Sequence, residues 1–304
     1  MEAIMRNMFQ ALGKSHSANK MAKRFGLRFG AARFVAGESI QQAIEAVRGL
    51  NSDGRLATLD HLGEFVFSEE EANESAEMCI KTLEAIAASG VQSNLSLKMT
   101  SLGLDISKDL CLQNMRRILD CARKHGNFVR IDMEDYEHCQ ITLDILHELR
   151  DEYDNVGTVI QAYLYRSEQD IRDLNSIRAN LRLVKGAYKE SPKVAFPEKK
   201  DVDDNYKKII KQHLLNGNYA AIASHDEAVI NEMKAFIRDM KISGDQFEFQ
   251  MLYGIREDLQ KQLVAEGYRV RAYVPYGIDW FGYFMRRLAE RPANVWFVLK
   301  NFFK

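Results

Sequence analysis

After Gly54 the chain falls into a regular alternation of short apolar segments of strand length and longer stretches with helical spacing. Nine apolar segments occur, at 56–62, 95–100, 128–133, 158–163, 181–187, 219–224, 247–252, 269–274 and 295–299. Most are spaced roughly 24 to 36 residues apart, the length of a strand plus a crossover helix. That order makes neighbouring strands parallel, because an antiparallel pair needs only a short turn. A doubly wound sheet of this length holds about five to seven strands, whereas a closed barrel needs eight. Nine candidates favour the barrel and leave one outside it. The spacing permits dropping either the first or the last; 295–299 is the better choice, since it follows a helix of unusual character.

Helix signals fit between these segments. Ser68 followed by Glu71 reads as a capping box, and Leu83, Ile86 and Ala87 continue that helix's apolar stripe. Residues 114–123 repeat the pattern with Met115, Ile118 and Leu119 inward, and Gly126 and Gly267 stand where helices should stop. Before the barrel, Met21, Phe25, Leu27 and Phe29 alternate with Lys23, Arg24 and Arg28, and Ile44 and Val47 mark one side of a second helical stretch. The expectation is an α/β protein with an N-terminal helical arm over 1–54 and a barrel catalytic domain over 55–304. The segment Lys193 to Asp204 reads as a long loop after a strand, a candidate cover for the site.

A formal net charge of −1 over 304 residues offers no field that would gather nucleic acid, and no nucleic-acid motif is present. Cys79, Cys111, Cys121 and Cys139 form no C-x-x-C pair, the pattern of reduced thiols in a cytoplasmic protein. No run approaches 18 uncharged apolar residues, so no transmembrane segment is expected. The first 40 residues are basic, with Arg6, Lys14, Lys20, Lys23, Arg24, Arg28 and Arg33 against Glu2 and Glu38. Such a face is either simply solvated or a peripheral contact with anionic lipid at the inner membrane surface. The histidines lack metal-ligand spacing, so no metal is expected, and there is no Rossmann glycine fingerprint.

In a barrel of this kind chemistry sits at the carboxyl ends of the strands. Read in order, those positions hold Asp60 and Glu64, Lys98, Asp132 and Glu134, Gln161 and Tyr163, Arg182, Lys185 and Tyr188, His225 and Asp226, Gln250, Leu252 and Tyr253, then Tyr273 and Tyr276. Polar groups inside apolar strands are costly to bury without partners, so several converging on one mouth point to a site. A helix from about Asp279 to Glu290 adds Tyr283, Arg286 and Arg287 at spacings that share a side. Two guanidinium forks can grip a carboxylate; the plainer alternative is a helix end that favours cations.

These strand ends carry a resemblance. LDHLGE (59–64), LSLKMTSLG (95–103), RIDMED (130–135), IQAYLYR (160–166), RLVKGAY (182–188), SHD (224–226), FEFQMLYG (247–254), YVPYG (273–277) and YFMRRLAE (283–290) appear in order. Together they resemble the proline dehydrogenases, both free-standing and as a domain of the bifunctional bacterial enzyme. The resemblance implies a distorted (βα)8 TIM-like barrel carrying FAD, with 56–62 as its first strand and the last helix capping the mouth. It implies oxidation of L-proline to 1-pyrroline-5-carboxylate by hydride transfer to flavin N5, with electrons passed to a quinone or another acceptor. A separate 1-pyrroline-5-carboxylate dehydrogenase is then implied as a partner, because no aldehyde dehydrogenase region follows.

The same resemblance assigns roles residue by residue. Arg286, Arg287 and Lys98 match the clamp on the substrate carboxylate, and Asp132 an acid balancing it. Tyr188, Leu252, Tyr273 and Tyr283 match the wall around the proline ring. Arg182 matches an arginine near flavin N5. Gln161, Lys185, Gly186, Ala187, Lys199, Lys200, His225 and Asp226 match flavin contacts. The stretch from Tyr273 to Tyr283 is two residues shorter than in the bifunctional enzyme, so the loop through Tyr276 and Asp279 must run differently there. Two other readings stay open: a flavoenzyme for hydroxyproline or a related small amino acid, and a non-catalytic barrel that binds a small molecule. The intact set Lys98, Arg182, Arg286 and Arg287 speaks against the second.

Overall fold

Eight parallel strands close on themselves, β8 returning to β1. They are β1 Leu56–His61, β2 Ser93–Leu97, β3 Val129–Ile131, β4 Val156–Gln161, β5 Leu181–Val184, β6 Ala220–Ala223, β7 Phe247–Leu252 and β8 Val270–Tyr276. The computed structural model describes residues 31–63 and 66–290, apart from the side chains of Arg286, Ala289 and Glu290. Each strand falls on a segment expected from the sequence. The candidate at 295–299, the amphipathic stretch around 21–29 and Glu64 lie outside the described residues.

Nine α-helices occur among the described residues: α1 Ile40–Ser52, α2 Glu69–Ser89, α3 Lys108–Lys124, α4 Tyr136–Arg150, α5 Ser167–Asn175, α6 Lys199–Leu215, α7 Glu227–Asp239, α8 Glu257–Ala265 and α9 Trp280–Glu290. Seven of them, α2 to α8, are the crossovers. The two outside that pattern shape the molecule. Helix α1 starts at Ser39, whose side chain accepts from the Gln42 N–H while the Gln42 side chain returns to the Ser39 N–H. Such a cap contributes about 1 kcal/mol. The helix buries Ala43, Ile44, Val47 and Leu50 against Ala57 and Leu59 of β1 and Ala272 and Val274 of β8. Each larger side chain contributes roughly 1.5–3 kcal/mol. The outer face of the β8–β1 seam is thereby covered by a helix that precedes the barrel. The helix that follows β8 is free to go elsewhere. Trp280, Tyr283, Phe284 and Leu288 of α9 cluster with Leu62 just past β1, Leu252 at the end of β7, and Phe34. Helix α9 therefore lies over the carboxyl ends of the strands.

Three local expectations change. Ser68 caps α2 by accepting from the Glu71 N–H, but the Glu71 carboxylate takes the Phe67 N–H at 2.6 Å instead of closing a box on Ser68. Ala87 is exposed, and Thr82 holds the inward position beside Leu83 and Ile86, as a 3.6-residue period from Cys79 requires. Lys199 to Asp204 is not loop but the opening of α6, where Lys199 pairs with Asp203 and Lys200 with Asp204 one turn on.

Along each strand the side chains alternate. Outward positions such as Leu95, Leu97, Val129, Ile131, Leu181, Leu183, Phe247 and Phe249 pack against the helices. Inward positions are polar yet buried: Thr58, Asp60, Ser96, Arg130, Arg182, Glu248 and Gln250. A closed barrel with this lining is stable only if those groups bond to one another.

Candidate active site

Most of the inward polar groups form one connected network; Arg130 bonds Thr158 and Asn180 apart from it, and Thr58 Oγ1 has no partner among the described residues. Toward its deeper part, Arg271 donates to Glu248 at 2.8 Å, to the Ala57 carbonyl at 2.7 Å and to Asn94 Oδ1 at 2.9 Å. Gln250 passes the chain upward, its Nε2 donating to Glu248 at 2.5 Å and its Oε1 accepting from Arg182 Nε at 2.6 Å. The rest of the Arg182 fork is also used. Nη1 donates to Asp132 Oδ1 at 2.6 Å and Nη2 to Ser96 Oγ at 3.0 Å. Three directed bonds fix this guanidinium, which lies 5.1 Å from the centroid of the Tyr273 ring.

At the mouth, Lys98 sits just past β2 with its Nζ 3.0 Å from Asp60 and 4.0 Å from Asp132. The Tyr273 hydroxyl bonds both acids, at 2.6 Å and 2.8 Å. Two cations, Lys98 and Arg182, thus meet two carboxylates, Asp60 and Asp132, around one phenol. Burial works against the Lys98 ammonium, but the acidic groups of Asp60 and Asp132 beside it outweigh that, and the lysine is held firmly protonated. Tyr188, on the loop after β5, is near enough to add to that effect. Burial raises the Tyr273 phenol well above its ordinary range, so it acts as a neutral donor.

A second group gathers at the ends of β4, β5 and β6. Gln161 donates to the Glu134 carbonyl at 2.8 Å, and the Glu134 carboxylate holds the Thr100 hydroxyl at 2.7 Å. Burial pushes the Glu134 carboxyl upward against that bond. Lys185 reaches Asp203 at 2.5 Å and Asp226 at 3.0 Å. The Asp226 contact is a hydrogen bond, the Asp203 contact an ion pair, and an ammonium has three N–H groups. The Lys185 bond holds the Asp226 carboxyl below its usual range. Gly186 follows at φ +117°, where an added Cβ would come within 2.2 Å of the Tyr163 ring. The Tyr163 ring fills that side, and the positive φ and the close contact together leave room only for glycine. His225 Nε2 accepts the Leu252 N–H at 2.9 Å, tying the loop after β6 to the end of β7.

The structure brings Lys98, Asp132, Arg182 and Tyr273 into direct contact, with Tyr188 close by. Tyr273 joins by its hydroxyl as well as its ring, which the sequence reading had given only a wall position. Tyr283 is buried on α9, and the Arg287 guanidinium lies 5.0 Å over its ring. The Arg286 side chain lies outside the described residues. Lys185, Gly186, Asp226, His225 and Gln161 stand on three adjacent strand ends. Lys199 joins that group only through Asp203, and Lys200, 84% exposed, pairs with Asp204 on the outer side of α6. Sequence reasoning gave Asp60 and Gln250 no role and passed over Ser96, Glu248 and Arg271. Their signal was alternation: each stands two residues from another inward polar or aromatic group on its strand.

Comparisons with known proteins agree with this architecture. The family model described as proline dehydrogenase matches residues 43–300. "Proline dehydrogenase 2" of Bacillus subtilis is 55% identical over 301 residues, 99% of each chain. "Proline dehydrogenase" of Deinococcus radiodurans is 50% identical over 279 residues, 90% of each. Among solved structures, proline utilization A from Bdellovibrio bacteriovorus, inactivated by N-propargylglycine, superposes with a TM-score of 0.81 at 30% identity. That match covers 86% of this chain and 32% of the larger one, so the chain spans about a third of the structure's length. On these matches and the barrel that carries them, the chain belongs to the proline dehydrogenase family.

Proposed function

We propose that this protein uses FAD to oxidise L-proline to 1-pyrroline-5-carboxylate, with a quinone as the final electron acceptor. The observation that carries the reading is the convergence of Lys98, Arg182, Asp132 and Tyr273 at the mouth of a barrel of this family. The substrate is a small ring with a carboxylate, so it needs a cationic anchor and an apolar wall. Lys98, with Arg286 and Arg287 from α9, supplies the anchor; Tyr188, Leu252, Tyr273 and Tyr283 supply the wall. Holding the acid end fixes which ring carbon faces the cofactor.

The residues at the ends of β4 to β6 fit a flavin dinucleotide. Lys185 has an N–H beyond its Asp226 bond for a phosphate oxygen, Gly186 turns the chain at the end of β5, and Gln161, Ala187, His225 and Asp226 surround them. Lys199 adds a second cation across Asp203. Bound there, FAD would accept at N5 the hydride leaving the carbon beside the ring nitrogen. The nitrogen gives up a proton as the carbon–nitrogen double bond forms, so two hydrogens leave in all. Arg182 favours negative charge building near it, and its three bonds spare it reorganisation. Helix α9 over the mouth keeps water from the ring. No helix among the described residues is long and apolar enough to cross a membrane. We infer a cytoplasmic protein that meets its quinone at the inner membrane surface, its product passing to a separate dehydrogenase. The test is chromatography of the cofactor released from purified protein, together with initial rates for proline and a soluble quinone. FAD and proline-dependent turnover support the reading; a different flavin, or turnover indifferent to proline, overturns it.

A further inference from the structure

The Tyr273 oxygen is 2.6 Å from Asp60 Oδ2 and 2.8 Å from Asp132 Oδ2. Both are hydrogen-bond separations, yet a phenol carries a single hydrogen. With one proton among three oxygens in a row, one contact would oppose lone pairs. A second proton satisfies both. Asp60 Oδ2 also accepts from Lys98 at 3.0 Å, but Asp132 Oδ1 takes the shorter charge-assisted bond, 2.6 Å from the Arg182 guanidinium, and a further one from Ser96 at 3.1 Å. Asp60 is the more enclosed acid, its side chain 2% exposed against 12% for Asp132.

We propose that Asp60 is a positioning residue of the carboxylate-binding cluster and carries that second proton, in the order Asp60 O–H, Tyr273 O–H, Asp132 carboxylate. The inference rests on the reading of Lys98 as part of the substrate-carboxylate site. With Asp60 neutral, Lys98 and Arg182 face one carboxylate and the cluster is left one positive charge in excess. With Asp60 ionised the excess is gone. A site that takes in an anion beside two acids works best when one of them is silent. Asp60 thereby sets the charge that Lys98 presents without itself touching substrate, while its hydroxyl aligns the Tyr273 phenol toward Asp132.

The charged and titratable groups around Asp60 are consistent with this. Lys98 faces it from the end of β2, Asp132 from the end of β3 and Tyr273 from β8. His61 on the same strand, Cys79 of α2 and Tyr276 of β8 are the further titratable groups near enough to couple to it. Burial raises the Asp60 carboxyl, Lys98 works the other way, and Asp132 adds to the rise.

The test uses flavin-loaded protein and two independent readouts. Infrared difference spectra report the carbonyl stretch of a protonated carboxylic acid. Calorimetric titration with cyclopentanecarboxylate, a ring acid with no amine to oxidise, reports the anion site. The wild type should show the protonated-acid band at neutral pH; Asp60→Asn should abolish it and Tyr273→Phe should shift it. Asp60→Asn, which keeps a neutral donor, should hold the ring acid with an affinity that stays level from neutral to alkaline pH. At the alkaline end it should bind about tenfold more tightly than the wild type, which ionisation weakens there. Absence of the band in wild type, or a band that neither substitution alters, overturns the inference; the Tyr273→Phe arm decides even if Asp60→Asn does not fold. If the band behaves as expected but cyclopentanecarboxylate does not bind wild type, the reading of Lys98 as a carboxylate anchor fails instead.

Discussion

Arg182 and Asp132 meet at 2.6 Å across the barrel mouth, from β5 to the residue after β3, and neither side chain is more than 12% exposed. The pair is one arm of a fork whose other arms end on Gln250 and Ser96. A lysine at position 182 keeps the charge but cannot make all three bonds. Arg182→Lys is expected to lower kcat for proline more than it raises KM, and Arg182→Ala to cost about 3–5 kcal/mol of stability by stranding a buried carboxylate. Steady-state kinetics and urea melts of the two variants check this; unchanged kcat in Arg182→Lys would show that the fork has no part in turnover.

Lys185 stands between Asp203 and Asp226 on the flavin side of the mouth. Lys185→Met removes the cation assigned to phosphate and leaves two acids facing each other. Flavin affinity is expected to fall about tenfold or more, since each tenfold is about 1.4 kcal/mol, the scale of a charge-assisted bond. The flavin-to-protein absorbance ratio after exhaustive ultrafiltration measures it. Full retention of flavin would remove Lys185 from the site.

His138, in the first turn of α4, bridges Asp135 Oδ1 at 2.6 Å and Asp105 Oδ1 at 2.8 Å. Burial opposes its charge, but the two carboxylate bonds prevail and raise its pKa from 6.5 to about 9. A pKa raised on folding contributes stability that is fully present below the unfolded value and is lost as pH rises through the folded one. The staple should therefore act below pH 6.5, fade across the interval and vanish above about 9. Both acids are solvent-exposed, so its worth is about 1 kcal/mol. Thermal melts across that range should show wild type losing its advantage over His138→Asn as pH rises; a constant difference contradicts the assignment.

Gly157, inside β4, faces the Asn180 carbonyl so closely that a Cβ would stand 2.1 Å from it, and 2.9 Å from Arg130 Nη1. Both neighbours are fixed, because Arg130 bonds the carbonyls of Thr158 and Asn180. Gly157→Ala is expected to destabilise by about 1–3 kcal/mol through forced backbone shifts. A lower melting temperature checks it, and an unchanged one would show that the barrel floor yields.

Much of this fold was legible because periodicity carries it. The alternation after Gly54 marks all eight strands, and Gly126 at φ +62° and Gly267 at φ +88° lie where helix ends were expected. The seat of α1 was not legible: Ile44 and Val47 announce a buried face, but nothing local says that it covers the β8–β1 seam. Site residues divide the same way. Asp132 and Lys98 stand out as charges at strand ends. Ser96, Glu248 and Arg271 lie within strands, where a polar residue looks like an interruption until closure of the barrel brings it to its partner. Whether Asp60 bonds Lys98 or water depends on that closure, since the two are 38 residues apart in sequence.

The proposed reaction is the delivery of a hydride from L-proline to a flavin held at these strand ends. The most direct measurement is the visible spectrum of the purified, flavin-loaded protein as L-proline is added without oxygen, with 1-pyrroline-5-carboxylate trapped by o-aminobenzaldehyde. The flavin bands should bleach, with one product molecule formed per flavin reduced. A protein that holds flavin but stays oxidised in excess proline, or that cannot be loaded with flavin at all, would contradict it.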